Sequence, residues 1–300
     1  MTDIEFSAMS KYFRHCLKKG LFDGFEGLDS NRLTLVYFCV SGLDLLSDLN
    51  DGESRQVLAW VRRAQIQQAS ESSGFRGSTF FVAGSNDESF WDVGHIAMTY
   101  TGLAILQICG STVTALERSR ILEHARRLQL KDGGFKCHAH ENDSDLRYLF
   151  SAVAVCHILD DMSRIDVLAA EHYILQCLTY EGGFGLRPGC EAQGGSTYCG
   201  VAALTLLGRL NALSPAAHRA MVRWCLRRQV QGFQGRPNKD EDACYSFWIG
   251  ASLDMLGASE LADWPAVAAF SSACQDASGA MGKAAGMSAD PLHAYMGLAG

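Results

Sequence analysis

A glycine–aromatic turn returns along the chain at near-constant intervals, and a recurrence of that kind restricts the fold to an array of like units. It reads SGFRG around Phe75, DGGFK around Phe135, EGGFG around Phe184 and QGFQG around Phe233, at intervals of 60, 49 and 49 residues. DGFEG around Phe25 and SGAMG around Met281 read as degenerate first and last copies, which makes about six units. A period of about 50 residues suits stacked helical hairpins.

Each turn leads through a polar segment into an apolar helix rich in small residues: RLTLVYFCVSGLDLL, HIAMTYTGLAIL, LRYLFSAVAVCHIL, STYCGVAALTLLG and CYSFWIGASLDMLG. Helices apolar on most faces are buried between other helices. Between them run charged, amphipathic segments such as ESRQVLAWVRRAQIQ and AAHRAMVRWCLRRQV, which read as outer helices with one solvated face. Gly42, Gly102, Gly200 and Gly250 fall at what reads as one position of successive units. Glycine costs a helix roughly 1 kcal/mol against alanine, so its return there implies a packing need, expected to be the close approach of neighbouring helices. Inner and outer helices alternating in this way predict an all-α fold, an α/α barrel of parallel inner helices ringed by outer ones. An open solenoid is the alternative. The whole of 1–300 is expected to form one domain whose last hairpin is cut short. In a closed ring the polar segments before the inner helices would gather at one mouth.

With 48% hydrophobic residues in 300, the chain has ample material for a large core. Its net charge of −7 speaks against nucleic acid as a partner, so positive charge for an anionic ligand would have to be local. Eleven scattered cysteines without a CxxC pair suit free thiols in a reducing compartment. The N-terminal segment is amphipathic and has no apolar h-region, and no run approaches 18 apolar residues. A cytoplasmic protein without a transmembrane span is expected.

The chemistry concentrates in one stretch. Gly235-Arg236-Pro237-Asn238-Lys239 precedes Asp242, Cys244 and Tyr245 at the head of the fifth inner helix, and Asp290-Pro291-Leu292-His293 heads the sixth. Neighbouring units of a barrel would let Asp242, Cys244 and His293 converge. A carboxylate, a thiolate and an imidazole make a three-ligand zinc set with an open fourth position, the arrangement of a catalytic rather than a structural site. A free cysteine of pKa about 8.5 is mostly thiol at neutral pH, and zinc favours its nucleophilic thiolate. Arg236, Lys239 and Lys283 would stabilise a diphosphate leaving group. Each element alone has a plainer meaning: a core cysteine, a hydrogen-bonded core histidine, a solvated basic surface. Cys137-His138-x-His140 is a second candidate metal cluster, read here as loop surface.

Taken together, GRPNK-x₂-D-x-CYSFW and D-x-LHAY resemble the zinc and diphosphate segments of protein prenyltransferase β-subunits. RLTLVYF, GHIAMTYTGL, GGSTYCG and the GGF turns extend the resemblance over most of the chain. It implies an α/α barrel, a zinc ion on Asp242, Cys244 and His293 that presents a substrate cysteine as thiolate, and a diphosphate held by Arg236, Lys239 and Tyr245. Thr34 stands where farnesyl-transferring relatives carry tryptophan, which implies room for a geranylgeranyl chain. Lys283 stands where those relatives carry a magnesium-linked aspartate, which implies independence of magnesium. Both features are similar to type I geranylgeranyltransferases; the farnesyl and Rab-specific enzymes are the alternatives. Phe38, His95, Ala97, Arg147, Tyr148, Leu292 and Met296 match positions lining the lipid and peptide pocket. The implied partners are a helical α-subunit, geranylgeranyl diphosphate, and proteins such as Rho-type small GTPases that end in Cys-aliphatic-aliphatic-X, with X usually leucine.

Three features depart from the family. Gln193 stands where a diphosphate-binding histidine is usual; glutamine donates a hydrogen bond but cannot become cationic, which implies weaker diphosphate binding. Met296 replaces a phenylalanine beside the lipid. The chain stops at HAYMGLAG, inside the expected sixth inner helix, which is expected to leave His293 poorly supported. Terpene cyclases share the fold class but need a DxDD or DDxxD motif, and Asp160-Asp161 completes neither. A catalytically silent α/α-barrel binding subunit is the rival of another class; the intact Asp242, Cys244 and His293 argue against it.

Overall fold

The computed structural model describes residues 4–19, 26–66, 73–79 and 93–300. Asp23, Gly24 and Phe25 of the first candidate turn lie outside the described residues. Helices dominate: α1 (Phe6–Lys19), α2 (Arg32–Leu45), α3 (Asp51–Ala64), α4 (Ile96–Ile108), α5 (Ala115–Leu128), α6 (Leu146–Ile158), α7 (Val167–Gln176), α8 (Gly194–Leu206), α9 (Pro215–Leu226), α10 (Cys244–Met255), α11 (Trp264–Ala273) and α12 (Pro291–Ala299). Two compact units are formed, one of Cys16–Ala170 and the other of Met1–His15 with Glu171–Gly300. Among the described residues no helix is long and apolar enough to cross a membrane.

The even-numbered helices from α2 to α12 are the apolar segments. In the first unit α2 packs on α4 and α4 on α6; in the second α8 packs on α10 and α10 on α12. The charged helices start on strong local signals. Asn50 with Glu53, and Thr114 with Glu117, form reciprocal capping boxes at α3 and α5. Ser214 caps α9, whose first residue is Pro215.

The turns explain the repeat. Phe75, Phe135, Phe184, Phe233 and Met281 are all fully buried. Each closes an antiparallel pair with the chain leaving the preceding odd-numbered helix. In the first unit β1 (Gln65–Ile66) pairs with β2 (Gly74–Phe75), and Gln129 pairs with Phe135. In the second the pairs are Leu178 with Phe184, Gln229 with Phe233, and Gln275 with Met281. Gly133 and Gly182, first of each GGF pair, have φ of 93° and 107°, a region that glycine alone enters without strain. The turn ring then slides under the apolar helix that follows. A Cβ on Gly102 would stand 2.7 Å from the Phe75 ring, and one on Gly200 would stand 2.5 Å from that of Phe184.

The recurring glycine therefore admits a turn aromatic of its own unit, not a neighbouring helix as the sequence implied. In the fifth unit Gly250 instead meets Trp264 at 2.9 Å. Gly42 is out of phase: Tyr37 and Cys39 occupy the positions filled by Tyr100 and Gly102, Phe150 and Ala152, Tyr198 and Gly200, and Tyr295 and Gly297, and Gly250 stands one residue beyond that position. The apolar helices end at residues with left-handed φ, Ser47, Gly110, Asp160, Gly208 and Gly257.

Within each compact unit, neighbouring repeats are joined by the same backbone hydrogen bond. At the start of four apolar helices an N–H donates to a carbonyl just beyond the next turn: Leu33 to Gly77, Ile96 to Cys137 and Gly194 to Gly235 at 2.8 Å, and Ala243 to Lys283 at 2.9 Å. A Gly200→Ala substitution tests the packing. Alanine is the better helix former, yet crowding of the buried Phe184 ring should make the variant about 1–3 kcal/mol less stable in urea denaturation.

Candidate active site

A helix N-terminus leaves backbone N–H groups without partners, and the apolar helices satisfy them with polar side chains. His95 Nδ1 accepts from Ala97 N–H (3.2 Å), and Asp145 from Arg147 N–H (2.8 Å). Gln193 accepts from Ser196 N–H (3.1 Å), Asp242 from Cys244 N–H (2.9 Å) and Asp290 from Leu292 N–H (3.0 Å). Three of these five residues, His95, Gln193 and Asp242, are among the site residues expected from sequence.

In the second unit Asp242, Cys244 and His293 come together, each offering a ligand atom within 4.8 Å of the others. His293 Nε2 lies 3.2 Å from an Asp242 oxygen, while its Nδ1 is bonded to Asp290 at 2.6 Å. Asp290 thus caps α12 and fixes the imidazole, so His293 is firmly held despite the short final helix, contrary to expectation. Burial alone would lower the His293 pKa, but its hydrogen bonds to Asp242 and Asp290 outweigh it and raise the value to about 9. Burial would likewise raise that of Asp242, and the bonds from His293 and Cys244 bring it below its usual value. Burial, reinforced by the Asp242 charge, pushes the Cys244 thiol far up. Lys283 Nζ approaches Asp242 at 3.9 Å.

Tyr245 is placed by close backbone approach. A Cβ on Gly235 would overlap its ring, and one on Gly194 would stand 2.8 Å away. The Gln193 amide donates to the Tyr245 hydroxyl oxygen at 2.6 Å. Burial and the nearby Cys244 and Asp242 raise this hydroxyl's pKa to about 12, so it keeps its proton at neutral pH. Arg236, exposed, is bonded to Glu191 at 2.8 Å, and Lys239 is exposed on the same loop. Leu292 and Met296 lie on α12 in this unit.

The first unit carries the remaining expected residues. Phe38 is buried on α2, and Thr34 donates to Met98 Sδ at 3.4 Å. His95 stacks edge-on to Tyr148 with centroids 5.7 Å apart, and the Arg147 guanidinium lies 5.4 Å over the Tyr148 ring. Cys137, read as loop surface, is in fact buried. It is not grouped with His138 and His140. Among the described residues Asp242, Cys244 and His293 are the three such side chains whose donor atoms can share one ion.

Sequence inspection overlooked an aromatic on successive apolar helices. Tyr37, Tyr100 and Phe150 follow one another in the first unit at 6.3 and 5.4 Å. In the second, Tyr198 meets Phe247 at 5.1 Å and Trp248 at 4.9 Å, and Phe247 meets Tyr295 at 6.4 Å. Most of these rings stand two residues before the small residue of their helix, a period that would have revealed them. Asp290 was named at the head of the sixth apolar helix but given no role; Asp-Pro at a helix start, three residues before histidine, was the signal for its capping function.

Residues 4–300 match a family described as the prenyltransferase alpha-alpha toroid domain. The chain belongs to that family. It is 38% identical over 97% of its length to the geranylgeranyl transferase type-1 subunit beta of Dictyostelium discoideum, spanning 88% of that protein. It is 36% identical over 91% of its length to the Arabidopsis thaliana subunit of the same name, spanning 78% of it. A solved structure, Candida albicans protein geranylgeranyltransferase-I complexed with GGPP, superposes with a TM-score of 0.88 at 24% identity. The match covers 99% of this chain and 90% of that one, and it carries the fold. The α/α barrel expected from the repeat is the toroid of this family, and the chain stands with its type-1 β-subunits.

Burial, aided by His138 and Arg147, lowers the His95 pKa to about 4, so its ring is neutral at pH 7. The unfolded chain takes up this proton near pH 6.5, the folded one only near 4, so the contribution to stability is lost as pH falls through that window. Its imidazole resonances should titrate with a midpoint near 4; a midpoint near 6.5 would contradict the burial argument.

Proposed function

We propose that the chain is the catalytic β-subunit of a zinc-dependent protein geranylgeranyltransferase. It acts with an α-subunit in the cytoplasm and transfers the lipid from geranylgeranyl diphosphate to proteins ending in Cys-aliphatic-aliphatic-Leu. The observation that carries this is the three-donor group of Asp242, Cys244 and His293 beside Tyr245 and the Arg236–Lys239 loop. The partner subunit is inferred from the β-subunit relatives, and the lipid from their name.

The donor set fits zinc. It combines one thiol, one carboxylate and one imidazole, and Asp290 supplies the outer carboxylate that orients a metal-binding histidine. Zinc held there supplies positive charge that favours the thiolate form of a substrate cysteine.

In the reaction a carbon–sulfur bond forms at C1 of the lipid while the C1–oxygen bond breaks and diphosphate leaves. Tyr245 keeps its proton and donates it to a diphosphate oxygen. The Gln193 bond to its hydroxyl oxygen turns that proton away from Gln193 and toward the leaving group. Arg236, Lys239 and Lys283 take up the charge that develops. The rings of the apolar helices give a long hydrocarbon an apolar surface, and Thr34 leaves it room. Lys283, already beside Asp242, provides a fixed cation in the role that magnesium would otherwise fill.

The test is prenyl transfer to a peptide ending in Cys-aliphatic-aliphatic-Leu with an α-subunit present, comparing geranylgeranyl and farnesyl diphosphate. Zinc-dependent geranylgeranyl transfer that persists without magnesium is expected. Cys244→Ser should lose zinc and activity together, whereas a silent binding subunit would purify without zinc from the start.

Gln193→His offers a separate measurement. A chargeable group at this cap should tighten geranylgeranyl diphosphate binding several-fold. Unchanged affinity and turnover would show that the glutamine costs nothing.

A further inference from the structure

The second unit holds a cavity of about 340 Å³ lined by Glu181, Arg223, Trp224, Arg227, Arg228 and Pro237. Its floor is deeply buried: Arg228 is 8% exposed and Trp224 is 4% exposed, with the guanidinium 5.3 Å over the indole ring. Three polar atoms of its lining residues are buried without a hydrogen-bond partner, namely Arg228 Nη1, Trp224 Nε1 and Glu181 Oε2. Buried polar atoms are nearly always paired, and an unpaired one costs more than an ordinary bond gains. Three orphans around one cavity point to a ligand with complementary atoms.

The chemistry of that ligand follows from the orphans. Two are donors and one is an anionic acceptor, so the ligand must offer acceptor oxygens and also one proton. Arg223 and Arg227, exposed one helical turn apart, add positive charge. Three guanidinium groups against one carboxylate leave the cavity cationic on a chain whose net charge is −7.

We propose that this cavity is a binding site for the hydrogen phosphate ion, whose oxygens accept from Arg228 Nη1 and Trp224 Nε1 and whose P–OH donates to Glu181 Oε2. Sulfate has the same shape but no proton at neutral pH, and its oxygens would face the Glu181 carboxylate without a hydrogen between them. Pro237 forms part of the wall, so a bound ion rests against the loop that carries Arg236 and Lys239. The site is nevertheless separate from the diphosphate position, with which it shares no ligating side chain.

The test is calorimetric titration of the full chain with inorganic phosphate, sulfate and O-phosphoserine. An Arg236→Ala/Lys239→Ala variant is titrated in parallel to remove binding at the diphosphate position. Saturable phosphate binding is expected in both proteins, with sulfate at least about tenfold weaker and O-phosphoserine no tighter than phosphate. Arg228→Gln should abolish binding. Arg223→Ala/Arg227→Ala changes only exposed residues and should weaken binding several-fold in a folded protein. Glu181→Gln should narrow the gap between phosphate and sulfate. Loss of phosphate binding in the Arg236/Lys239 variant, equal affinity for sulfate, or an unaltered Arg223/Arg227 variant would overturn the proposal. Tighter binding of O-phosphoserine would overturn its assignment to the free ion.

Discussion

The structure depends on one hydrogen bond made again and again, from the first N–H of an apolar helix to a carbonyl just past the next glycine–aromatic turn. Within each compact unit it ties one repeat to the next by backbone alone, so it does not depend on side chains that differ between repeats. It also answers part of the cost of burying a helix N-terminus, where several donors would otherwise lack partners. What remains for side chains is the capping position itself.

That position is where structural need and chemistry coincide. A cap must be short and polar and must accept hydrogen bonds, and carboxylates, amides and imidazoles all qualify. The same groups bind metals and orient hydroxyls. Asp242 caps its helix with one oxygen and remains close to His293 and Lys283. Gln193 caps with its carbonyl and holds Tyr245 with its amide. Asp290 caps with one oxygen and grips His293 with the other. Each of these residues satisfies the backbone and a functional neighbour together, so replacing one disturbs both.

Much of this could be read from the chain before any coordinates. The turn phenylalanines announced the repeat, and the apolar segments named their helices, because both follow from local sequence. The grouping of Asp242, Cys244 and His293 was inferred from the phase of two units, which is enough when an array is regular. The purpose of Gly102 and Gly200 was misjudged because a glycine in a buried helix says that space is needed, not what fills it. Gly42 was misplaced because a one-turn offset preserves the helical face and so escapes a pattern based on spacing. Arg228, Trp224 and Glu181 gave no signal, since burial without a partner is a property of three dimensions.

The left-handed residues at the ends of the apolar helices and the caps at their starts divide the repeat into a rigid part and an elastic one. From His95 to Gly110, Asp145 to Asp160, Gln193 to Gly208 and Asp242 to Gly257 the spacing is fifteen residues each time, so this span cannot gain or lose a residue without breaking the register of its helix. Between the buried turn aromatic and the following cap no such register operates. Phe135 to Asp145, Phe184 to Gln193 and Phe233 to Asp242 span ten, nine and nine residues, whereas Phe75 to His95 spans twenty. The large length difference among these four spans thus falls between turn aromatic and cap, where the helices set no register. A fold of this kind can remodel the border of its reactive end by insertion while the helices that carry the chemistry stay in step.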